Sequence, residues 1–133
     1  MFLDASAIIA MLGNEAEGDV FADALAAAPV RLTSPIAVWE SVAGLAKEYA
    51  LSIPEARRKV AEFLAAAKVT IVALREAELE IALDAYDQFG KGRHPARLNL
   101  GDCFAYACSR AYRAPLLYKG GDFVETDVND EFP

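Results

Sequence analysis

The 133-residue chain has one histidine and two cysteines. A lone histidine cannot build a histidine-based metal site and gives little support to a Ser-His-Asp triad. His94 is read as a loop residue in a basic patch. Cys103 and Cys108 stand five positions apart on one expected helix, pointing about 140° away from each other. They are read as small core residues, not as a disulfide or a metal pair. No apolar run reaches the ~20 residues of a membrane span. The N-terminus has no basic region, and Asp4 interrupts its first apolar residues. It is therefore not read as a signal peptide, and a cytoplasmic protein is expected. The phosphate-cradling patterns GxxxxGK[ST] and GxGxxG are absent, as are repeats, low-complexity segments and linkers. Residues 1–133 are expected to form a single domain. Basic charge is also scarce, with 13 Lys and Arg against 20 Asp and Glu for a net charge of −7. Bulk electrostatics thus argue against a nucleic-acid binder unless charge distribution or bound cations overrule them.

What is abundant is apolar, at 55% of residues, and the excess over an ordinary domain is mostly alanine in helical segments. That suffices for a core without staples. Met1 to Asp4 is a short apolar run ending in an acid, and it reads as the start of a domain. Ser6 can cap a helix over 7–12. A second helix is expected over 15–28 and a strand over 30–33. Ser34-Pro35 signals a helix start, a cap residue followed by proline at the first helical position. That helix runs to about 50. The next spans 52–68, with Ile53, Ala56, Val60, Phe63, Leu64 and Ala67 at helical spacing. A strand over 69–73 precedes a helix over 75–89, whose expected inward face is Leu79, Ala82, Leu83 and Tyr86. A basic loop leads to Asn99, which caps the helix holding Asp102. A strand over 115–118 and a possible last strand over 126–128 complete the chain. Strands alternating with helices mean an α/β fold with a parallel sheet. In such folds ligands bind beyond the carboxyl ends of the strands.

Four acids stand out. Asp4 ends the first strand, and the plainer reading is a cap or turn aspartate. Asp102 opens an almost wholly apolar helix, where the helix dipole alone would favour an acid. Asp122 follows a strand behind Gly120 and Gly121, and could be a turn residue. Glu40 is the least distinctive, because Ser41, Gly44 and Glu48 read as a solvent stripe and Glu40 lies only about 100° from it. Asp127 and Asp130 read as solvated tail charges. Acids gathered at one sheet edge repel and push one another's pKa upward. The remedy is a cation, and oxygen ligands without His or Cys point to Mg²⁺ or Mn²⁺.

Four stretches taken in order, FLDASAIIAML, TSPIAVWESV, LNLGDCFAYACSRAYRAPLLYKGGDF and TDV, resemble the PIN-domain ribonucleases, specifically the VapC-type toxins of toxin–antitoxin pairs. The resemblance covers nearly the whole chain. It implies a PIN-like three-layer sandwich with a parallel sheet of four to five strands in the order 3-2-1-4-5. It implies that Asp4 and Asp102 are metal ligands, Asp122 a direct or water-mediated one, and Glu40 the fourth acid of a catalytic quartet. Ser6 matches a small hydroxyl that orients Asp4 or the attacking water, and Asn99 matches a support residue. The implied reaction is hydrolysis of an RNA phosphodiester by metal-activated water. A homodimer and a cognate VapB-type antitoxin are implied as partners. Lys91, Arg93 and Arg97, just before Asp102, could grip phosphates, although a solvated loop explains them as well.

Two other readings remain. A haloacid-dehalogenase-like phosphatase would use Asp4 and Ser34, with Asp122 and Asp127 on metal. It wants a second acid two residues after the nucleophile, where Ser6 stands. A PIN-like module that only binds RNA or protein would not need the intact quartet.

Overall fold

Phe2 and Leu3 form the first strand, β1 (Phe2–Leu3), and both are fully buried. Alternation along a strand sends neighbouring side chains to opposite faces. Phe2 joins one core cluster and Leu3 the other, which makes β1 the axis of the domain. The computed structural model describes residues 1–132. It sets β1 between β2 (Leu32–Thr33) and β4 (Leu116–Leu117), with β3 (Thr70–Ile71) beyond β2, all parallel. Helices α1 (Ala5–Leu12), α2 (Gly18–Ala27), α3 (Pro35–Glu48) and α4 (Ile53–Ala66) contribute to the core around Leu3. Helices α5 (Glu76–Phe89) and α6 (Leu100–Ala111) pack with Phe2 and Leu116 on the other face. The result is the three-layer α/β sandwich expected from the sequence. Among the described residues, no helix is long and apolar enough to cross a membrane.

The sheet has four strands in the order 3-2-1-4, and the possible fifth strand is not formed. Residues 126–128, where it was expected, form a bend and a turn after one turn of 3₁₀ helix over Phe123–Glu125. The Asn129 side chain takes the free edge of β4, accepting the Leu116 N–H at 2.8 Å and donating to the Leu116 carbonyl at 3.0 Å. A carboxamide carries both donor and acceptor, so one side chain satisfies the strand edge without a further strand. Asp127 is not a free tail charge either. It accepts the Tyr106 hydroxyl at 2.7 Å and pairs with Arg110 at 3.1 Å, tying the tail to α6.

Two helix faces differ from the sequence reading. On α5 the buried residues are Glu78, Ala82, Ala85 and Phe89, while Leu79, Leu83 and Tyr86 are exposed. The rotation is possible because Glu78 does not enter the core alone. Its carboxylate accepts the Arg75 N–H at 2.8 Å and pairs with the Arg75 guanidinium, which holds its pKa down at about 2. A buried charge is tolerated when it is paired and hydrogen-bonded. The displaced apolar stripe lines an open cavity of about 400 Å³ with Leu98, Leu100 and Phe104. On α3 the stripe of Ser41 and Gly44 faces inward. Ser41 is fully buried, with its hydroxyl donating to the Ala37 carbonyl at 2.7 Å. A β-carbon on Gly44 would come within 2.6 Å of Ile9 Cδ1. These small residues let α1 and α3 approach closely. Ile53 and Trp39 are exposed instead, around a second cavity that also touches Ile71.

Candidate active site

Asp4 follows β1 directly and caps α1, where the sequence reading had placed Ser6 as the cap. Ser6 holds the cap in place. Asp4 Oδ2 accepts the Ser6 hydroxyl at 2.5 Å and the Ser6 N–H at 3.1 Å. Ser6 Oγ in turn accepts the Lys119 N–H at 3.0 Å from the loop after β4. One hydroxyl therefore couples the exits of the neighbouring strands β1 and β4. Asp4 is buried, and burial pushes its pKa up; the Ser6 hydrogen bonds oppose this and the Asp122 charge adds to it.

Asp102 is the third residue of α6 and half of a reciprocal cap. Its N–H donates to Asn99 Oδ1 at 2.9 Å, and its Oδ2 accepts the Asn99 N–H at 3.1 Å. The cap fixes the carboxylate at the helix start and satisfies two otherwise orphaned donors. Burial raises Asp102 to about 6, with Asp4 and Asp122 adding and the Asn99 N–H opposing. Glu40 reaches across from α3, which packs against α6, and its carboxylate rests against Gly101. Its pKa is pushed up to about 7, first by burial and then by the charges of Asp4 and Asp102. Asp122 is exposed at the start of the 3₁₀ turn, after a chain reversal at Gly120, whose φ is +103°.

The four acids thus gather at the carboxyl edge of the sheet. Asp4 feels Asp122, Asp102 feels Asp4 and Asp122, and Glu40 feels Asp4 and Asp102. Among the described residues, none of the four enters an ion pair. Nor do any three carboxylate, His or Cys side chains converge closely enough to enclose an ion. The arrangement is an open acidic rim and not a cage. Its all-oxygen donors fit Mg²⁺, which keeps several waters and commonly takes only one or two carboxylates from a protein.

The basic loop is placed differently from the rim. Arg93 pairs with Asp87 at 3.6 Å and lies over Tyr86 at 5.5 Å. Lys91 lines the α5–α6 cavity. Arg97 is exposed with φ +54°, and His94 Nδ1 accepts the Ala96 N–H at 3.0 Å. Two residues at the site escaped the sequence reading. Lys119 pairs with Glu15 at 2.8 Å and Glu17 at 3.4 Å, bracing the loop that carries Asp122. Its one signal was its place directly before Gly120-Gly121-Asp122. Gly101 is the other, and it gave no signal.

The raised acids make the metal-free protein sensitive to pH. An acid with a higher pKa when folded binds its proton more tightly in the folded state, so stability falls as pH rises between the two values. That window runs from 4.5 to about 7 for Glu40 and from 3.8 to about 6 for Asp102. The melting temperature in EDTA is therefore expected to fall from about pH 5 to about pH 7.5. Glu40→Gln should flatten that fall. An unchanged slope would show that Glu40 is not its source.

Fold and rim together define an α/β domain with an all-oxygen acidic site at the carboxyl edge of a parallel sheet. The PIN domain family profile matches residues 1–129. Ribonuclease VapC28 of Mycobacterium tuberculosis is 40% identical over 129 residues, covering 96% of this chain and 95% of that protein. Ribonuclease VapC30 of the same organism is 38% identical over 128 residues, with the same coverage. Ribonuclease VapC of Mycolicibacterium smegmatis is 36% identical over 128 residues, covering 96% of this chain and 97% of that one. The crystal structure of Mycobacterium tuberculosis VapC20, described as a sarcin-ricin loop cleaving toxin, shares the fold. Its TM-score is 0.72 at 20% identity, over 92% of each chain. The chain belongs to the PIN domain family, in its VapC ribonuclease group.

Proposed function

We propose that this protein is a Mg²⁺-dependent endoribonuclease, the toxin of a toxin–antitoxin pair, and that it hydrolyses RNA phosphodiester bonds. The observation that carries the reading is the rim itself. Burial and the charge of neighbouring acids raise Asp4, Glu40 and Asp102, and neither they nor Asp122 has a basic partner among the described residues.

Asp4 and Asp102 would hold the ion, with Asp122 and Glu40 completing the set directly or through water. A Mg²⁺ or Mn²⁺ ion held there would supply an activated water and charge stabilisation at the phosphate. The chain's own part is positional. Ser6 aims Asp4 through two hydrogen bonds, and Asn99 aims Asp102 through the reciprocal cap. The net charge of −7 is then a smaller obstacle, because a bound divalent cation would offset the rim's charge locally. Lys91, Arg93 and Arg97 remain the candidates for phosphate contacts beyond the rim.

A homodimer and a VapB-type antitoxin belong to the same reading, and the exposed apolar stripe of α5 and the surface around Trp39 would offer them contact area. Action in the cytoplasm, where RNA substrates lie, belongs to the same reading.

One observation counts against the phosphatase alternative. Ser34, which would be its second phosphate ligand, is buried and spent on capping α3, accepting the Ala37 N–H at 3.1 Å. The purified protein, given MgCl₂ or MnCl₂, should cleave RNA and leave a small phosphate ester intact, with EDTA abolishing cleavage. Hydrolysis of the ester without cleavage of RNA would reverse the assignment.

A further inference from the structure

Gly101 stands in the first turn of α6, one residue before Asp102, and is buried. Glycine weakens a helix relative to alanine, so its presence needs a cause. Backbone conformation is not the cause. The glycines with positive φ are Gly92 and Gly120. Space is the cause. A β-carbon at Gly101 would lie 2.5 Å from Cδ of Glu40 and closer still to both carboxylate oxygens, and these are the three nearest atoms.

The other helical glycines behave differently. A β-carbon at Gly18 would meet the Ala10 carbonyl, and one at Gly44 would meet the Ile9 side chain. Both glycines serve the packing of α1 against its neighbours. Gly101 alone among the helical glycines makes room for a carboxylate, the one that α3 brings to the rim. The positive end of the α6 dipole favours an acid at that spot.

We propose that Gly101 is the seat of Glu40, a positioning residue whose missing side chain admits the fourth acid to the rim beside Asp102. The proposal rests on the metal-dependent nuclease reading above. It also makes an unusual demand on a glycine substitution. The clash is with the free end of a flexible side chain and not with backbone. Alanine at this position should therefore leave the fold intact and turn the Glu40 carboxylate away.

The test compares wild type, Gly101→Ala, Glu40→Ala and the double variant. Each is read by MnCl₂ titration of the melting temperature and by RNA cleavage. Gly101→Ala should melt close to wild type in EDTA. It should need about tenfold more Mn²⁺ for the half-maximal rise, the scale on which supporting residues act on a metal site. It should lower cleavage by up to about 100-fold, the scale of an ångström-sized misplacement. In the Glu40→Ala background the same substitution should change neither readout, because residues that act through one contact are not additive.

A Gly101→Ala variant with wild-type titration and cleavage overturns the proposal. So does a loss of equal size in both backgrounds. If Gly101→Ala does not fold, Glu40→Ala should restore folding, and failure to restore it overturns the proposal too. A wild-type protein that answers neither to Mn²⁺ nor to RNA overturns the nuclease reading itself, and that result is distinct because it appears without any substitution.

Discussion

Asp4→Asn is expected to lower Mg²⁺-dependent RNA cleavage by at least about 100-fold, the usual cost of removing one electrostatic element from a preorganised site. Asparagine keeps the size of the side chain and an oxygen for the Ser6 N–H and hydroxyl that now meet Asp4 Oδ2. It removes the charge that Glu40 and Asp102 both feel. The variant should therefore fold as well as wild type or better in EDTA, a common trade between stability and activity at strained sites. The two measurements separate the explanations. Lost cleavage with an undiminished melting temperature assigns Asp4 to the chemistry, whereas retained cleavage removes Asp4 from the site and overturns the acidic rim as the catalytic centre.

MnCl₂ or MgCl₂ should raise the melting temperature of the wild-type protein. A ligand at about 100 times its dissociation constant stabilises the folded state by about 2.7 kcal/mol. For a domain of this size that corresponds to a shift of about 8 °C. The rise should be steeper above neutral pH, because Glu40, at about 7, must lose its proton to take part. Asp4→Asn combined with Asp102→Asn should eliminate the rise. A shift that survives in the double variant would place the binding site elsewhere on the molecule.

Local features of the site were legible because their causes are local. Asn99 and Asp102 stand three residues apart, the spacing of a reciprocal cap, and the structure forms that cap. Ser34-Pro35 announced a helix start, and Ser34 caps it. Asp4 was readable as the acid ending a strand. The alternation of strand and helix carried the three-layer α/β architecture.

Other features were hidden because their partners lie far along the chain. Periodicity could not choose between two stripes of α5, since the choice depended on whether Arg75 could neutralise Glu78 in the core. Ser41 and Gly44 looked like a solvent stripe until α1 was packed against α3. The last strand failed to form because the Asn129 side chain already satisfies the edge of β4.

From the order of its residues alone, the chain specified its strand–helix alternation, the starts of α3 and α6 and the acids that could form a site. Those depend on spacings of one to four residues, over which capping and periodicity act. Tertiary structure alone decided that Glu40 joins Asp102 across the α3–α6 contact, that Lys119 and Ser6 couple the exits of two strands, and that Gly101 leaves room for a carboxylate. Packing brings together residues that no local rule relates, and a residue whose role is to leave space has no signature until its neighbour is in place.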